Sequence, residues 1–209
     1  MQITTISDTH GLHHQLQILG GDLLIHAGDV CNRGTAVEAL AFIEWFAEQD
    51  YTYKVFIAGN HDFYFEKLST KEIHALLPEN VFYLNDSGVE LGGIKIWGSP
   101  ITPTFHTMAF NRNRGEVIGQ HWSEIPLDTD VLITHGPPFG ILDFTNSQLH
   151  VGCEALFKSV QTIRPKYHIF GHIHEGFGLI KKEATTYINT SSVDFNYKVR
   201  KIPFYDFIF

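Results

Sequence analysis

The sequence predicts an α/β protein organised around a parallel β-sheet. Within the first sixty residues, short apolar runs alternate with stretches of helical periodicity in the order strand, helix, strand, helix, strand. The apolar runs at residues 23–25 and 55–57 are continuous and do not alternate with polar residues. Such continuous runs are typical of strands that helices cover on both faces of a parallel sheet.

The first part of the chain is expected to supply three strands and two helices. The expected strands are residues 2–6, 22–26 and 53–58. Residues 12–19 have the spacing of a short amphipathic helix that Gly20 and Gly21 end. Residues 35–49 carry apolar side chains at helical intervals, and Thr35 is a suitable N-cap.

The rest of the chain adds further strands, three helices and one long loop. Helices are expected at residues 69–76, 115–122 and 153–163. Strands are expected at residues 81–84, 89–91, 94–97, 131–133, 167–170, 178–182, 185–190 and 203–209. Residues 99–114 are rich in Pro, Thr, Asn and aromatic residues, which indicates a functional loop. No repeat or linker interrupts the chain, so we expect residues 1–209 to form a single domain.

Composition limits the classes of function. An apolar content of 44% is enough for a full core without disulfides, and the two cysteines suit a reducing compartment. The formal charge of −8 argues against binding of long nucleic acids, which need clustered Lys and Arg. The chain starts in a strand pattern, and it has no apolar stretch of the roughly 20 residues that a membrane span needs. We therefore expect a soluble, cytoplasmic protein without a membrane partner.

Polar motifs follow five of the apolar runs. They are Asp8-Thr9-His10, Gly28-Asp29, Gly59-Asn60-His61-Asp62, Thr134-His135-Gly136 and Gly171-His172-Ile173-His174. In open α/β sheets the functional crevice lies beyond the carboxyl ends of the strands, so these motifs are expected to meet in space. Taken singly, each has an ordinary structural explanation, such as a turn or a hydrogen-bonded loop histidine. The ordered set of five favours a shared site.

The side chains in these motifs are suited to binding metal ions. Carboxylate, imidazole and carboxamide donors without thiolates suit Mn²⁺, Fe, Zn²⁺ or Co²⁺. The candidate ligands are Asp8, His10, Asp29, Asn60, His135, His172 and His174. Seven ligands are too many for one ion, but they fit two ions about 3.5–4 Å apart, the spacing of two-metal hydrolytic sites.

The order of these motifs resembles that of the calcineurin-like metallophosphoesterases, and the resemblance covers residues 3 to about 190. Shorter stretches, including Ala109-Phe110-Asn111, resemble the small MPPED-type branch, whose members hydrolyse phosphodiesters and can bind nucleoside monophosphates. The resemblance implies a four-layer α/β/β/α sandwich. It also implies that Asp29 bridges two ions, with Asp8, His10 and His174 on the first and Asn60, His135 and His172 on the second.

One motif departs from the protein phosphatases of this superfamily. They have Gly-Asp-x-x-Asp-Arg-Gly, whereas residues 28–34 here have Asn32 in place of the second acid. That acid orients the catalytic histidine, so the departure argues against a phosphoprotein phosphatase. It also leaves open which group orients His61. Asp62 is adjacent, but neighbouring side chains on an extended segment diverge.

His61 is the candidate catalytic residue. A metal-bridging hydroxide would attack phosphorus, and His61 would protonate the leaving alkoxide as general acid. The alternative is that His61 is an extra ligand or a turn histidine. Arg33 is either a phosphate clamp or a solvated loop arginine. Asn111 and His106 lie in the long loop and are candidate substrate contacts.

The remaining histidines are expected outside the site. His26 and His168 lie within strands and are expected to be hydrogen-bonded structural residues. Surface positions are expected for His13, His14, His74, His121 and His150.

The sequence thus predicts a metal-dependent phosphoesterase that hydrolyses small phosphodiesters or nucleotides. Two alternatives remain open. The same site could act on phosphomonoesters, or the fold could be a non-catalytic scaffold that binds a protein partner. Degenerate scaffolds of this kind typically lack ligands or the catalytic histidine, and this chain retains all of them.

Overall fold

The computed structural model describes residues 1–209 and contains thirteen strands and five α-helices. The strands are β1 (Gln2–Ile6), β2 (Gly21–Ala27), β3 (Tyr51–Ile57), β4 (Val81–Tyr83), β5 (Ser87–Leu91), β6 (Ile94–Ser99), β7 (Thr102–Pro103), β8 (Asn111–Arg112), β9 (Val131–Thr134), β10 (Tyr167–Phe170), β11 (Gly178–Lys182), β12 (Thr185–Asn189) and β13 (Tyr205–Ile208). The helices are α1 (Ala36–Glu48), α2 (Phe63–Lys67), α3 (Thr70–His74), α4 (Glu116–Trp122) and α5 (Glu154–Ile163).

The strands form two mixed sheets and a small ribbon. The first sheet has the order β13-β1-β2-β3-β4, in which β1 to β4 are parallel and β13 joins the edge antiparallel. The second has the order β11-β12-β10-β9-β6-β5, with a parallel centre and an antiparallel strand at each edge. The short strands β7 and β8 pair with each other. The predicted parallel organisation is confirmed.

The two sheets pack face to face with helices outside, which is the expected four-layer α/β/β/α sandwich. Alternate residues of β2 show the layers. Leu23 and Ile25 belong to a core of 13 buried residues that both sheets supply. Leu24 belongs to a larger core of 31 buried residues that includes α1 residues such as Phe42 and α5 residues such as Val160. Continuous apolar strands therefore arise because both faces of each sheet are buried.

Two stretches differ from their predicted structure. Residues 12–19 form only one 3₁₀ turn, His13–Gln15, and no helix. The backbone N–H groups of His10 and Gly11 donate to the carbonyls of Asp29 and Val30, so the chain stays beside that loop and leaves too few residues for a stable helix. The predicted loop at residues 99–114 contains the β7–β8 pair, because a two-residue strand has no readable periodicity.

None of the helices combines the length and the apolar character that crossing a membrane requires. Both cysteines, Cys31 and Cys153, are buried free thiols. The helix predicted at residues 35–49 is present as α1, and Thr35 is its N-cap as expected.

Candidate metal centre

The five motifs meet where the two sheets come together. The first sheet contributes the segments that follow β1, β2 and β3, and the second contributes those that follow β9 and β10. At this edge Ser7 forms a parallel bridge with Ser191, and Ser192 N–H donates to the Ser7 carbonyl. The carboxyl ends of strands from both sheets therefore converge, as expected for an α/β crevice.

Six of the seven candidate ligands fall into two groups of acids and histidines that could hold a metal ion. Asp8, His10 and His174 form one group, and Asp29, His135 and His172 form another, with the ligand atoms of each within 4.8 Å of one another. A third group joins His10, Asp29 and His61. We call these the first, second and third metal groups.

Asp29 lies between the first two groups. Its Oδ2 is 3.8 Å from His10 Nε2 and 3.3 Å from His135 Nε2. The seventh candidate, Asn60, lies with its Oδ1 2.9 Å from His135 Nε2. The structure thus brings all seven candidates together, in the two sets that the family resemblance implied. Their role as ligands stays a prediction.

Hydrogen bonds orient the imidazoles of the centre. Nδ1 of His10, His135 and His174 lies 3.2, 3.0 and 3.0 Å from the carbonyls of Cys31, Ala27 and Asp194, respectively. A carbonyl can only accept, so each Nδ1 carries the proton, and Nε2 is directed toward the carboxylates. Metal-ligating histidines are held in this way, with one nitrogen donating to the protein and the other free to bind the ion.

The backbone is strained at several candidate ligands. Asp8, His10, Asp29 and His172 have φ values of 51°, 44°, 56° and 68°. Positive φ is uncommon for residues with a side chain, and such conformations cluster at functional sites where the surrounding structure imposes them. Here the imposed conformation places side chains from separate loops against one another.

Two glycines allow the loops to approach each other. A Cβ at Gly171 would lie 2.0 Å from Asp8 Oδ2, and one at Gly59 would lie 2.3 Å from Asp29 Oδ1. No side chain fits at either distance, so both positions require glycine.

Ion pairs between buried acids and histidines shift the pKa values of the centre. Burial alone would raise the pKa of Asp8, but the contact with His174 holds that pKa well below its usual range. Burial would lower the pKa of His135 and His174, yet Asp29 and Asp8, respectively, raise each pKa to about 9. Burial lowers the pKa of His172 to about 3. A bound cation would displace the protons of His135 and His174, because metal and proton compete for Nε2.

His61 is oriented by a backbone group. Its Nδ1 donates to the Asn32 carbonyl at 2.8 Å, and its backbone N–H donates to Asp29 Oδ1 at 2.8 Å. The carbonyl thus does what the missing acid does in protein phosphatases, and it leaves Nε2 for the pocket that His61 lines. Asn32 thus lacks the acidic side chain of the protein-phosphatase motif, but its backbone carbonyl accepts the hydrogen bond from His61 instead.

Asp62 has a structural role that the sequence did not reveal. Its carboxylate accepts backbone N–H groups from Val30, Cys31 and Gly59, at 3.2, 2.9 and 2.7 Å. It therefore joins the loops after β2 and β3. The motif Gly-Asn-His-Asp was the only sequence signal for it.

Hydrogen bonds hold the Asp8 carboxylate, and one of the donors, Ser191, was not predicted from the sequence. Ser191 Oγ donates to Asp8 Oδ2 at 2.9 Å, and Ser7 Oγ donates to the same oxygen at 2.7 Å. His172 N–H donates to both Asp8 oxygens at 3.0 Å. No motif marks Ser191, because its contact spans 183 residues of sequence.

An open pocket of about 280 Å³ lies over the metal groups, and Phe105, Glu175, Phe195 and Tyr197 complete its lining. A larger cavity of about 500 Å³ lies near α3 and β4 and contains none of the metal groups. The smaller pocket is the chemically relevant one, because His10, His61, His172 and His174 line it.

The three candidate substrate contacts lie outside this lining. Arg33 is exposed on the loop before α1. The Asn111 amide donates to the carbonyls of Phe105 and His106 and accepts from Thr102 Oγ1. His106 is exposed next to Phe105. Their contact with substrate stays a prediction.

The histidines outside the centre have the predicted structural or surface positions only in part. His26 accepts from Gly28 N–H at Nδ1 and contacts Thr9 Oγ1 at Nε2, as a structural histidine should. His13, expected at the surface, is only 2% exposed and packs on Trp45, because the 3₁₀ turn faces α1. His121, also expected there, is largely buried beside Asp86.

Comparison with known proteins agrees with this geometry. The family described as Calcineurin-like phosphoesterase matches residues 1–176. The human Metallophosphoesterase domain-containing protein 1 is 39% identical over 217 residues, which cover 92% of this chain and 66% of that protein. A UPF0046 protein of Caenorhabditis elegans is 37% identical over 97% of this chain and 73% of its own length.

A solved structure shares the fold. The structure described as Phosphopantetheinyl Hydrolase (PptH) from Mycobacterium tuberculosis superposes with a TM-score of 0.66 and 12% identity. It covers 99% of this chain, and this chain covers 95% of it.

Proposed function

This chain belongs to the calcineurin-like phosphoesterase family, as its strand-end motifs predicted, and we propose that it is a dinuclear metal-dependent hydrolase of small phosphodiesters or nucleotides. The family is one of phosphoric ester hydrolases that bind divalent metals. One observation carries the proposal. Asp29 belongs to the second metal group and lies 3.8 Å from His10 Nε2 of the first, and His10, His135 and His174 donate Nδ1–H to backbone carbonyls, which leaves their Nε2 available to cations.

The donor set fits two divalent cations. The first would be held by Asp8, His10 and His174, the second by Asn60, His135 and His172, with Asp29 shared. Mixed oxygen and nitrogen donors without thiolate suit Mn²⁺, Fe, Zn²⁺ or Co²⁺. When bound, such cations supply Lewis acidity that activates water and neutralises charge on a phosphoryl group.

The protein's own contribution to the reaction is proton transfer and positioning. His61 would donate the Nε2 proton to the leaving alkoxide, because the Asn32 carbonyl occupies its Nδ1–H. Its backbone N–H bond to Asp29 ties the proton donor to the acid that lies between the first two metal groups. The general acid and the metal groups are therefore held in one rigid constellation.

Outside the metal groups, the charge of the pocket lining favours diesters over monoesters. No Lys or Arg lines the pocket, and Glu175 adds a carboxylate to it. A monoester dianion would meet this carboxylate with two charges, whereas a diester carries one. The formal charge of −8 supports a small substrate over long nucleic acids. We also propose a cytoplasmic location, because both thiols are free and buried, as is common in reducing compartments.

The proposal is tested with metal-free protein that is reloaded with Mn²⁺ and assayed on bis-p-nitrophenyl phosphate and p-nitrophenyl phosphate. We expect hydrolysis that requires metal, with kcat/KM for the diester at least about 10-fold higher. A preference for the monoester would overturn the diester assignment. Absence of both bound metal and hydrolysis would instead support the non-catalytic scaffold.

His61→Ala tests the general acid on a diester with an alkyl leaving group, because p-nitrophenolate leaves without proton donation. Turnover should fall by about 10²- to 10⁴-fold, the usual contribution of proton transfer, while metal content is retained. His14→Ala is the matched control, because His14 is exposed and lies outside the pocket. Equal loss of metal and turnover in His61→Ala would make His61 a ligand.

A further inference from the structure

Three aromatic side chains lie around the pocket, and no sequence motif links them. Phe105, Phe195 and Tyr197 line it and are 44%, 57% and 45% exposed. We call them the aromatic rim. Phe105 comes from the loop before β8, and the other two come from the segment after β12. Phe195 and Tyr197 lie beyond residues 1–176, the part of the chain that the family match covers.

Aromatic rings of the rim lie next to histidines of the first and second metal groups. The Tyr197 ring lies 4.8 Å from the His10 ring and 5.4 Å from the His174 ring, measured between centroids. The Phe105 ring lies 5.8 Å from that of His172. A phosphoester bound over the metal groups would therefore have an aromatic face next to its ester substituent.

A tight turn holds the part of the rim that contains Phe195 and Tyr197. Asp194 Oδ1 accepts the N–H groups of Asn196 and Lys198, and Tyr197 N–H donates to the Asp194 carbonyl. Tyr197 has a φ of 58°, a strained value for an aromatic residue. Strain of this kind persists where surrounding structure imposes it, and it is common at ligand-binding positions. Here it directs a half-exposed ring toward the pocket.

The turn is coupled directly to the metal groups. The Asp194 carbonyl accepts Nδ1–H of His174, and Arg200 donates to the His174 and Ser191 carbonyls. The Arg200 guanidinium also lies 4.5 Å from the centre of the Phe177 ring. Tyr197 N–H and His174 Nδ1–H therefore share the Asp194 carbonyl as acceptor, and the position of Tyr197 relative to the centre is preorganised.

Pocket charge indicates which substituent the rim would accept. Glu175 is the only charged lining residue outside the metal groups, and no Lys or Arg is present. An anionic substituent would be repelled, and a neutral polar one would find few donors. Exposed aromatic faces bind planar rings by stacking or edge contacts.

We propose that the aromatic rim is a subsite that selects phosphoesters with a planar, uncharged aromatic substituent. The proposal rests on the hydrolase function proposed above and adds Tyr197 as its main specificity-determining residue. Tyr197 supplies the ring face, and its hydroxyl has no part in the selection. The Asp194 turn keeps that face beside His10 and His174.

The test compares two diesters that release the same p-nitrophenolate, benzyl p-nitrophenyl phosphate and cyclohexylmethyl p-nitrophenyl phosphate. The two substituents are similar in size, so the ratio of their kcat/KM values isolates planarity. We expect the native protein to favour the benzyl ester by about 3- to 10-fold, the range that aromatic contacts supply. Tyr197→Leu should bring the ratio close to one, because kcat/KM for the benzyl ester falls more than kcat/KM for the cyclohexylmethyl ester.

Two variants serve as controls. Tyr197→Phe keeps the ring and should keep the preference. Phe144→Leu removes an exposed aromatic residue that does not line the pocket, and it should keep the preference too. Tyr197 is on an exposed turn, so Tyr197→Leu should retain its fold, which circular dichroism and metal content verify.

Binding gives a readout that does not need turnover. Calorimetric titration of the Mn²⁺-loaded protein with benzyl methylphosphonate and cyclohexylmethyl methylphosphonate should show the same preference. Equal binding of the two, or a preference that survives Tyr197→Leu, would overturn the subsite. Faster turnover of p-nitrophenyl phosphorylcholine than of the benzyl ester would assign the rim to a cationic group and also overturn it. No hydrolysis of any ester, with the binding preference intact, would remove the proposed function and leave the subsite.

Discussion

Single hydrogen bonds distinguish the histidines of this protein. His10, His135 and His174 of the metal groups donate Nδ1–H to carbonyls and direct Nε2 toward carboxylates. His168 is different, because it lies within the buried strand β10 and not after a strand. Thr134 Oγ1 donates to the Gly136 carbonyl, so it accepts from His168 Nε2–H at 2.8 Å. His168 Nδ1 is then a buried acceptor without a partner.

This arrangement makes stability depend on pH. Protonation of His168 Nδ1 would bury an unpaired charge, and burial lowers its pKa to about 3. The unfolded chain has a His pKa near 6.5, so it binds the proton first as pH falls. The stabilising contribution is complete above about pH 6.5 and is lost as pH falls toward about 3. At pH 5 the loss is about 2 kcal/mol.

His168→Leu tests this dependence by removing the titrating group. Urea unfolding at pH 7.5 and pH 5.0 should show that the variant loses about 2 kcal/mol less free energy of unfolding than the native protein over this interval. His14→Leu removes an exposed histidine and should behave like the native protein. An unchanged pH slope in His168→Leu would contradict the argument.

At the scale of elements, the start of α1 orients the proton donor. Glu38 forms a capping box with Thr35, and its carboxylate also accepts N–H from Asn32 and Arg33. The helix end thus holds the loop whose Asn32 carbonyl binds His61. A helix cap usually contributes only to stability, but here it also positions a functional residue.

Glu38→Ala should therefore lower both stability and turnover. We expect a loss of about 1 kcal/mol in free energy of unfolding and about a 10-fold fall in kcat. The fall should be larger for an ester with an alkyl leaving group than for a p-nitrophenyl ester, because only the alkoxide depends on proton donation. Urea unfolding and steady-state kinetics provide the measurements.

A second capping box supplies the matched control. Ser69 and Glu72 form the same motif at α3, away from the metal groups. Glu72→Ala should cost similar stability and leave kcat unchanged. If both variants lose turnover equally, the loop before α1 does not orient His61.

At the scale of the whole molecule, the candidate ligands come from both sheets. Asp8, His10, Asp29 and Asn60 follow strands of the first sheet, whereas His135, His172 and His174 follow strands of the second. Bound cations would therefore cross-link the two halves of the sandwich. Binding that occurs only in the folded state raises the stability of the whole protein.

We accordingly expect Mn²⁺ to raise the Tm by about 5–10 °C at 100 times its Kd. The shift should be larger at pH 8.5 than at pH 6, because His135 and His174, each with a pKa of about 9, must release protons to bind metal. Asp29→Asn should reduce the shift by more than half, since Asp29 belongs to both the second and third metal groups and lies beside the first. Differential scanning calorimetry with and without metal measures each value.

Glu124→Gln is the control for this experiment, because Glu124 is exposed and belongs to none of the metal groups. It should show the native shift. A shift that Asp29→Asn leaves intact would place the stabilising metal elsewhere.

The sequence by itself determined most of the strands, the parallel character of the sheet and the position of each motif at a strand end. These features are local, since apolar runs, glycines and metal-binding side chains are readable within a few residues. The prediction of a helix at residues 12–19 was wrong. A helix of that length is only marginally stable, and the backbone hydrogen bonds of His10 and Gly11 to the loop after β2 prevent it from forming.

Only the tertiary structure decided what surrounds those motifs. The orientation of His61 depends on the Asn32 carbonyl, a group that every residue has, so side-chain identity could not reveal it. Ser191 contacts Asp8 across 183 residues. Tyr197 is likewise far in sequence from His10, whose ring it contacts. Local patterns carry no record of such contacts, because they form only when the two sheets pack and bring distant loops to one edge.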